Sequence, residues 1–456
     1  MSLGKRAAQQ PAQAEFWVAT AELPQSSGHP FYQKLDELLA ADSFDDWLEA
    51  ECAPYYHSTS GRPSIPPGVY FRMLLIGYFE GLSAQRAIVW RCSDSLSLRA
   101  FLGLALTQAT PDHSSLTRIS ERLPRELTDK VFQRVLAMAH RQQLLSGKTV
   151  GIDSTTLEAN AAMKSIVRRD NGQDWPAYVT ELMREAGVIA PSEQPSREEI
   201  ARFDRKRTDK SVSNDDWVSE SDGDARITQM KDGTTHLAYK AEHVVDLESE
   251  FILAAEVHHA DVADTKTLSD TVLDAQVNLQ AAEIEIEIEE VVADKGYHSR
   301  RSLEEADAVG LRTYIPEKKL RGESRLDEEP EAVQRAVRLN HERMQRDKGK
   351  QLQRQRSEKV ERSFAHVCET GGARRCWLRG LKKVQQRYLF QAIAHNLGVL
   401  MRKLFGVGTP RSLPGAKGFA ALLSFAWLTM IESAMRWSAR WTIYFYRLTF
   451  WSTERC

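Results

Sequence analysis

The sequence predicts an N-terminal all-helical region, then a mixed α/β core, then basic helices near the C-terminus. From residue 31 to residue 145, apolar side chains recur at the spacing of helices. At Lys148 the pattern changes to the run KTVGIDSTTL, whose β-branched residues are typical of a strand. From that point the order is strand, insertion, two strands, helix, strand, helix, strand and helix. Such an order predicts a mixed sheet covered by helices.

The chain is long enough for two or three domains, and its charge is unevenly distributed. It has 456 residues, of which 42% are hydrophobic, so it can bury a sizeable core. The formal net charge is only -2, yet residues 371–403 contain eight Lys and Arg and no Asp or Glu. Residues 335–362 contain ten Lys and Arg against four Asp and Glu. This basic C-terminal third indicates contact with a polyanion or, alternatively, a solvated helix surface.

Cysteine usage and apolar segments bear on other classes of protein. The five cysteines form no C-x-x-C pair, which leaves zinc and redox motifs unsupported and indicates free thiols in a reducing cytoplasm. The N-terminus has no apolar stretch of signal-peptide length. The apolar run 419–431 is too short to span a bilayer, and we expect a buried or partner-facing helix there. No G-x-x-x-x-G-K-[ST] motif is present, which disfavours a nucleotide-driven motor.

The N-terminal helical region is predicted to contain short helices joined by tight turns. Ser83 is the expected N-cap of one helix. Asp112 or Ser114 is expected to cap another, which carries Arg118 and Arg122. Short helices and tight turns suit a helix-turn-helix-like unit that contacts DNA, and they suit a plain helical bundle as well.

The remaining patterns place the elements of the α/β core. Residues 160–225 are polar and poorly periodic, which predicts an insertion or a flexible helical arm. HLAYKAEHVVDLESEFILAAEVHHAD predicts two antiparallel strands joined near residues 247–250. The alternating stretch EIEIEIEEVVAD predicts a half-buried strand, or the lead-in to one, that runs into Asp294. Residues 331–368 predict one or two long basic helices.

Three acidic residues have contexts that suit a metal site. Asp153 and Asp294 each follow an apolar strand, and Glu361 lies on a basic helix. Divalent ions such as Mg²⁺ prefer oxygen ligands and retain waters and substrate phosphates. Two such ions can activate the attacking oxygen and stabilise the leaving one in phosphodiester chemistry. The alternative role of an aspartate at a strand end is to cap the following turn.

Several ordered motifs resemble the transposases of bacterial insertion sequences. They are DSTTLEAN, HLAYKAEHVVD, ADKGYHS and VERSFAHVCETGGARRCWLRGLKKVQQRYLFQAIAHNL, together with an N-terminal segment that contains SGRPSIPPGVYFRMLLIGYFEGLSAQRAI. The chain looks like the cut-and-paste DDE group related to insertion-sequence types 4 and 5. The resemblance covers about residues 31–404, apart from the insertion. It implies a ribonuclease H-like sheet whose three carboxylates hold two Mg²⁺ ions, for which Mn²⁺ can substitute.

The resemblance assigns the three carboxylates motif by motif. Asp153 matches the first acid in the D-S-T motif, Asp294 the second in D-x-G-Y, and Glu361 the third in V-E-R-x-F. Some relatives also carry Tyr and Arg before the glutamate and Lys after it. That fuller motif is absent here, since Ser357 and Cys368 occupy two of the corresponding positions.

Other residues near these motifs have more than one interpretation. Glu358 lies one helical turn before Glu361 and is the alternative third acid. Lys295 and His298 flank Asp294 and either touch phosphate or lie at the surface. The cluster His258, His259, Asp261 and Asp264 suggests a metal site, although we interpret it as strand-end and loop residues. Tyr239 and Lys240 are expected in a central strand, with a Lys side chain that extends to solvent. The expected phosphate contacts are Arg118, Arg122, Arg354, Arg356, Lys359, Arg362, Arg374, Arg375, Arg379, Lys382 and Lys383.

These expectations combine into a hypothesis about organisation and function. The predicted parts are a flexible N-terminus (1–30), a helical DNA-binding domain (31–145), a catalytic domain (146–404) and an aromatic-rich tail (405–456). The resemblance implies cleavage at transposon ends and strand transfer into double-stranded target DNA, by a cytoplasmic, nucleoid-associated homodimer without a membrane partner. The alternatives are a related nuclease that lacks strand transfer and an inactive, transposase-derived DNA-binding protein.

Overall fold

The structure, a computed structural model, describes residues 28–57, 64–208, 213–230, 233–318 and 326–411. The apolar run 419–431, the aromatic-rich end of the chain and nearly all of the predicted flexible N-terminus lie outside the described residues. No helix within the described ranges combines the length and the apolar character needed to cross a membrane.

The N-terminal part of the described chain is helical, as the spacing of its apolar residues predicts. Its helices are α1 (Pro30–Ala41), α2 (Phe44–Cys52), α3 (Pro67–Glu80), α4 (Gln85–Ser93), α5 (Leu96–Phe101), α6 (His113–Arg122) and α7 (Arg125–Arg141). Asp112 caps α6 by accepting a hydrogen bond from the backbone N of Ser114, which confirms the predicted cap. The prediction for Ser83 is wrong. The turn after Gly81 continues through Ser83, so that Ala84 directly precedes α4 and no side chain caps it.

The central sheet has β1 in its middle, as expected for the run that contains Asp153. The strands are β1 (Thr149–Glu158), β2 (Ile166–Arg168), β3 (Trp217–Ser219), β4 (Arg226–Gln229), β5 (Thr235–Asp246), β6 (Ile252–His259), β7 (Glu290–Val292) and β8 (Arg312–Tyr314). On one side, β1 pairs with β5 in an antiparallel manner, and β4 and β6 both pair with the outer edge of β5. On the other side, β7 and β8 run parallel to β1.

Helices follow the strands in the predicted order. They are α8 (Trp175–Glu185), α9 (Arg197–Lys206), α10 (Asp264–Ala281), α11 (Arg300–Ala308), α12 (Glu331–Gln345), α13 (Asp347–Phe364) and α14 (Leu381–Phe405). The basic segment 331–368 therefore forms two helices, and a π-helical turn, Ala365–Thr370, extends α13. The predicted strand pair joined near 247–250 is confirmed as β5 and β6.

The two faces of the sheet are covered by different helices. Alternate side chains of a strand point to opposite faces, so Gly151 and Asp153 face α13, whereas Ser154 faces α10. Gly151 allows the close approach of α13. A Cβ atom there would lie 2.7 Å from the Leu247 side chain and 3.0 Å from that of Val360. The glycine thus brings α13 against the strand that carries Asp153.

One apolar core joins the N-terminal helices to the sheet. The buried hydrophobic residues of α1–α7, the sheet and α14 form a single continuous cluster. The middle of α14 is buried on all sides, and this helix packs against both β6 and α7. A helix that is apolar around its whole circumference belongs in the interior. The N-terminal helices are therefore fixed relative to the sheet.

Residues 160–225 contain more regular structure than their polar composition indicates. Strands β2 and β3 pair with each other, and α8 and α9 share a small apolar cluster of Val179, Met183 and Ile200 that is separate from the main core. A capping box at Ser196 and Glu199 begins α9. The sequence predicted an insertion or a helical arm, and the segment is an insertion that contains helices.

The alternating Glu-Ile stretch is a lead-in and not a strand. The strand is only Glu290–Val292, although Ile284 is buried as the alternation predicts. No neighbouring strand pairs with residues 283–288 in the described sheet. The side chain of Gln276 instead accepts from the backbone N of Ile288 and donates to the carbonyl of Ile286. The side chain of Gln276 thus supplies backbone hydrogen bonds that a neighbouring strand would otherwise supply.

Candidate active site

Adjacent parallel strands bring Asp153 and Asp294 to the same part of the sheet. Gly151 of β1 pairs with Val292 of β7, and each aspartate lies two residues further along its strand direction. Asp294 follows the end of its strand, as predicted. Asp153 lies in the middle of β1 and not at its end, because β1 continues to Glu158 in pairing with β5.

The Asp153 carboxylate is held by two donors. The backbone N of Ser154 donates to Oδ1 at 2.8 Å, and Nη1 of Arg356 donates to Oδ2 at 2.7 Å. Burial raises the pKa of Asp153 above its ordinary value. The Arg356 guanidinium opposes this rise, and the charge of Asp294 adds to it. A carboxylate destabilised by burial and by a second carboxylate is stabilised when a cation enters.

Asp294 is positioned by the turn that follows it. It caps the short 3-10 turn Lys295–Tyr297, and the backbone N of Gly296 donates to its Oδ1 at 2.6 Å. No other described side chain forms a hydrogen bond or ion pair with Asp294. The acid therefore also caps a turn, which was the alternative role, and retains an uncommitted oxygen.

A third carboxylate, Asp264, lies beside this turn. Its Oδ1 accepts hydrogen bonds from Ser154 Oγ and from Lys240 Nζ, each at 3.1 Å. A Cβ atom on Gly296 would lie 2.9 Å from Asp264 Oδ2 and 2.8 Å from Asp294 Oδ1. The glycine of the ADKGY motif is thus needed because two carboxylates approach the same point from either side.

Behind Asp264 lies a buried polar network centred on Glu242. Its carboxylate accepts from Thr267 at 2.5 Å, from Thr271 at 2.8 Å and from the Tyr297 hydroxyl at 3.2 Å. Lys240 Nζ lies 2.9 Å from it. Burial alone would raise the pKa of Glu242, but hydrogen bonds and the Lys240 charge lower it to about 2. Lys240 is therefore buried in ion pairs, and the prediction that it extends to solvent is wrong.

The two candidate glutamates lie on the outer part of α13. Glu361 is exposed, and no other described residue forms a hydrogen bond or ion pair with its carboxylate. It immediately follows Val360, which packs on Gly151. Glu358 is exposed and pairs with Arg362 one turn later, as expected for a surface ion pair. Phe364 is buried and stacks on His243 with ring centroids 4.1 Å apart, so it fixes the rotation of α13.

Two segments of the chain match known protein families. Residues 20–122 match the family described as Transposase domain (DUF772), and residues 193–397 match the family described as Transposase DDE domain. The chain belongs to the DDE transposases. No curated protein and no solved structure matches it. The mixed sheet is therefore the ribonuclease H-like core of a transposase, and its partner is DNA.

The DDE match contains two of the three predicted acids. Asp294 and Glu361 lie within residues 193–397, whereas Asp153 lies before them. The assignment of Asp153 therefore depends on its DST motif and on its place in the strand next to Asp294. The differing Ser357 and Cys368 lie in the matched range.

Transposases of this family use divalent metal ions, and the donors here fit such an ion in part. Asp153 and Asp294 supply oxygen atoms from neighbouring strands. In the described part of the chain, no three His, Cys, Asp or Glu side chains are placed so that they could hold a metal ion by themselves. This also applies to His258 and His259 with Asp261 and Asp264. Mg²⁺ commonly binds through one or two carboxylates and completes its coordination with water and substrate phosphates.

The basic residues predicted to contact DNA fall into distinct groups. Arg118, Arg354 and Lys382 are exposed and without a hydrogen-bond or ion-pair partner among described residues. The others have the following neighbours: Arg122 the Tyr56 ring, Lys359 the Leu247 carbonyl, Arg362 Glu250 and Glu358, Arg374 Glu369 and Thr155, Arg375 Glu158, Arg379 the Asn160 carbonyl, and Lys383 Glu121. The prediction for Arg356 needs correction, because it assumed an exposed side chain. Arg356 is buried and bonded to Asp153, so it is a neighbour of that carboxylate and not an exposed phosphate ligand.

One group of cations lies beside the strand that carries Asp153. Arg374 Nη1 donates to Thr155 Oγ1 at 3.0 Å, and the backbone of Arg375 forms a bridge with Glu158. Thr155 shares the face of Asp153, since the two are two residues apart in a strand. The segment 374–379 thus places positive charge along the second half of β1, which suits the backbone of a nucleic acid.

Proposed function

We propose that this transposase cleaves DNA at transposon ends and joins the freed 3′ hydroxyl to target DNA, with Asp153, Asp294 and Glu361 as its catalytic acids. The observation that carries the proposal is the position of the two aspartates on adjacent parallel strands. The family match supports the transposase activity, and the DST motif supports Asp153 as the first acid.

The chemistry suits a single site for both steps. Two Mg²⁺ ions, or Mn²⁺ in their place, would activate the attacking oxygen and stabilise the leaving oxygen in an in-line displacement. Asp153 and Asp294 would hold them, while Arg356 keeps one Asp153 oxygen fixed. Glu361, whose carboxylate is uncommitted among the described residues, lies on the helix that covers β1 and is the third acid of the proposed set. Arg374 and its neighbours would hold the DNA backbone beside Asp153.

The DNA substrates are double-stranded transposon ends and target DNA. We assign contact with DNA to the helices of 31–145, where Arg118 is exposed and unpaired among described residues, and to the cations after α13. We also expect a homodimer on DNA, because two transposon ends must be joined in one event. Sedimentation of the protein with and without an end-containing duplex would measure this directly.

The test is an end-joining reaction. A duplex that carries the inverted repeat from beside the coding region, already cut to expose its 3′ hydroxyl, is incubated with protein, Mg²⁺ and a supercoiled plasmid. We expect plasmid molecules joined to the duplex, and none when the duplex ends in a 3′ dideoxynucleotide. Cutting of an uncut end without any joining would identify a nuclease. DNA binding without either product would identify an inactive DNA-binding protein.

A further inference from the structure

Asp264 stands at the point where the two catalytic aspartates are structurally connected. It begins α10 on the face of the sheet opposite to α13, and the helix has no side-chain N-cap. Its carboxylate forms no hydrogen bond with the backbone of its own helix. Instead it accepts hydrogen bonds from Ser154 of β1 and Lys240 of β5. The side chain thus links α10 to the strand that carries Asp153.

The link reaches both aspartates through short contacts. Ser154 donates its hydroxyl to Asp264 and its backbone N–H to Asp153 Oδ1. On the other side, Asp264 Oδ2 lies against Gly296, whose N–H donates to Asp294 Oδ1. A displacement of Asp264 would therefore move the donors of both catalytic acids.

The charge around Asp264 is not fully compensated. Lys240 lies within 3.1 Å of both Asp264 and Glu242, so its one positive charge is shared by two carboxylates, and His258 lies 3.4 Å from Glu242. Glu242 is completely buried and keeps its charge, because its pKa is lowered to about 2. Asp264 is 29% exposed and faces the turn of Asp294. One negative charge thus remains close to the catalytic pair, where it favours a cation.

We propose that Asp264 is a positioning residue of the transposase site. It holds the donors of Asp153 and Asp294 in place, and its charge increases the affinity of that pair for a divalent ion. This inference rests on the proposed function, since it concerns the same two aspartates. It predicts that loss of the Asp264 charge weakens metal binding even when the protein stays folded.

The experiment compares Asp264→Asn with Asp261→Asn in the full-length protein. Asp261 lies three residues before Asp264, in the loop that leads into α10, and pairs at 3.5 Å with Arg226, so it controls for the loss of one nearby charge. Mn²⁺ binding is measured by the loss of the free-ion paramagnetic resonance signal, without DNA. End cleavage is measured over a range of Mg²⁺ concentrations. We expect Asp264→Asn to weaken Mn²⁺ binding by about tenfold, the order expected for removal of one charge beside a divalent cation.

The Mg²⁺ concentration for half-maximal cleavage should rise by a similar factor, and Asp261→Asn should match the parent protein. Asp264→Glu retains the charge at a different reach, so it should keep Mn²⁺ affinity and lower the maximal rate. This variant tests the positioning role if Asp264→Asn does not fold.

The outcomes separate this inference from the proposed function. A parent protein that binds Mn²⁺ and cleaves, with Asp264→Asn indistinguishable from it, overturns the inference alone. So does an Asp264→Asn protein that loses cleavage while its Mn²⁺ affinity stays at the parental value. A parent protein that neither binds Mn²⁺ nor cleaves DNA overturns the proposed function, and the inference falls with it.

Discussion

Substitution of Gly296 by alanine tests the crowding of carboxylates around the Asp294 turn. The new Cβ would lie 2.8 Å from Asp294 Oδ1 and 2.9 Å from Asp264 Oδ2, where ordinary contacts begin at 3.4 Å. At least one carboxylate must therefore move by about 0.5 Å, because packed interiors do not absorb such an overlap elsewhere. A misplacement of about 1 Å at a reacting centre costs about a hundredfold in rate. We expect a loss of about tenfold in the cleavage rate.

The stability of the same variant should fall as well. Overpacking costs about 1–3 kcal/mol of unfolding free energy, and the reduced freedom of the unfolded chain returns about 0.4–1 kcal/mol. Gly223→Ala is the matched control, because nothing lies within 4 Å of its Cβ position and its φ is not in the left-handed region. That control should keep the parental cleavage rate and gain slightly in stability.

The assay is single-turnover cleavage of an end-containing duplex at saturating Mg²⁺, with urea denaturation of the same samples. DNA affinity should not change, since the exposed cations Arg118, Arg354 and Lys382 lie outside the turn and the substitution leaves Lys295 in place. Cleavage by the Gly296→Ala variant at the parental rate would show that the two carboxylates are not held against this glycine.

Three further predictions concern the acids and cations. Glu361→Gln should abolish cleavage in Mg²⁺ while Glu358→Gln keeps most activity, because Glu358 is committed to a surface ion pair; the reverse result in Mg²⁺ and Mn²⁺ would place the third acid at Glu358. Arg356→Gln should move the acid limb of the cleavage rate to higher pH, because Arg356 lowers the pKa of Asp153, whereas Arg356→Lys should move it less; equal acid limbs in parent and Gln variant would contradict this electrostatic role. Four substitutions to Gln made together should reduce the slope of log affinity against log salt by about 0.9 for each phosphate that the protein no longer neutralises; the exposed Arg301→Gln is the control, and an unchanged slope would show that the four are only a solvated surface. The four residues are Arg374, Arg375, Lys382 and Lys383.

Local sequence patterns predicted the elements of the core well where the structure depends on neighbours along the chain. The helical spacing of α7 and α13, the strand pair β5 and β6, and the cap at Asp112 are all set by residues a few positions apart. The motif resemblance added the placement of Asp294 and Glu361. These features need no knowledge of distant contacts.

The errors arose where distant residues decide the environment. Asp264 resembled a loop residue because its partner Ser154 lies 110 positions earlier. Arg356 resembled an exposed cation of a basic helix, yet Gly151 allows α13 to approach closely enough to bury it. The sequence held one signal for the crowding around Asp264. The glycine of ADKGY lies between an acid and a tyrosine, which indicates a close approach of other atoms at that position.

For the Glu-Ile alternation, the sequence left open a strand and the lead-in to one, and the structure has the lead-in. Its period correctly indicated which side chains face the core, because Ile284 is buried. A strand also needs a neighbouring strand with free backbone groups, and no described strand pairs with residues 283–288, where Ile286 and Ile288 bond to the side chain of Gln276 instead. The period of a sequence pattern predicts which side chains are buried, but it does not predict which backbone segments pair as strands.

The central claim is that Asp153 and Asp294 together form the catalytic centre of the transposase. The most direct measurement compares end cleavage and end binding by Asp153→Ala and Asp294→Ala with those of the parent, at the Mg²⁺ concentration that supports the parent. We expect each variant to bind the end with nearly parental affinity, because the exposed cations are intact, and neither variant to cleave it. Cleavage retained by either folded variant would contradict the assignment.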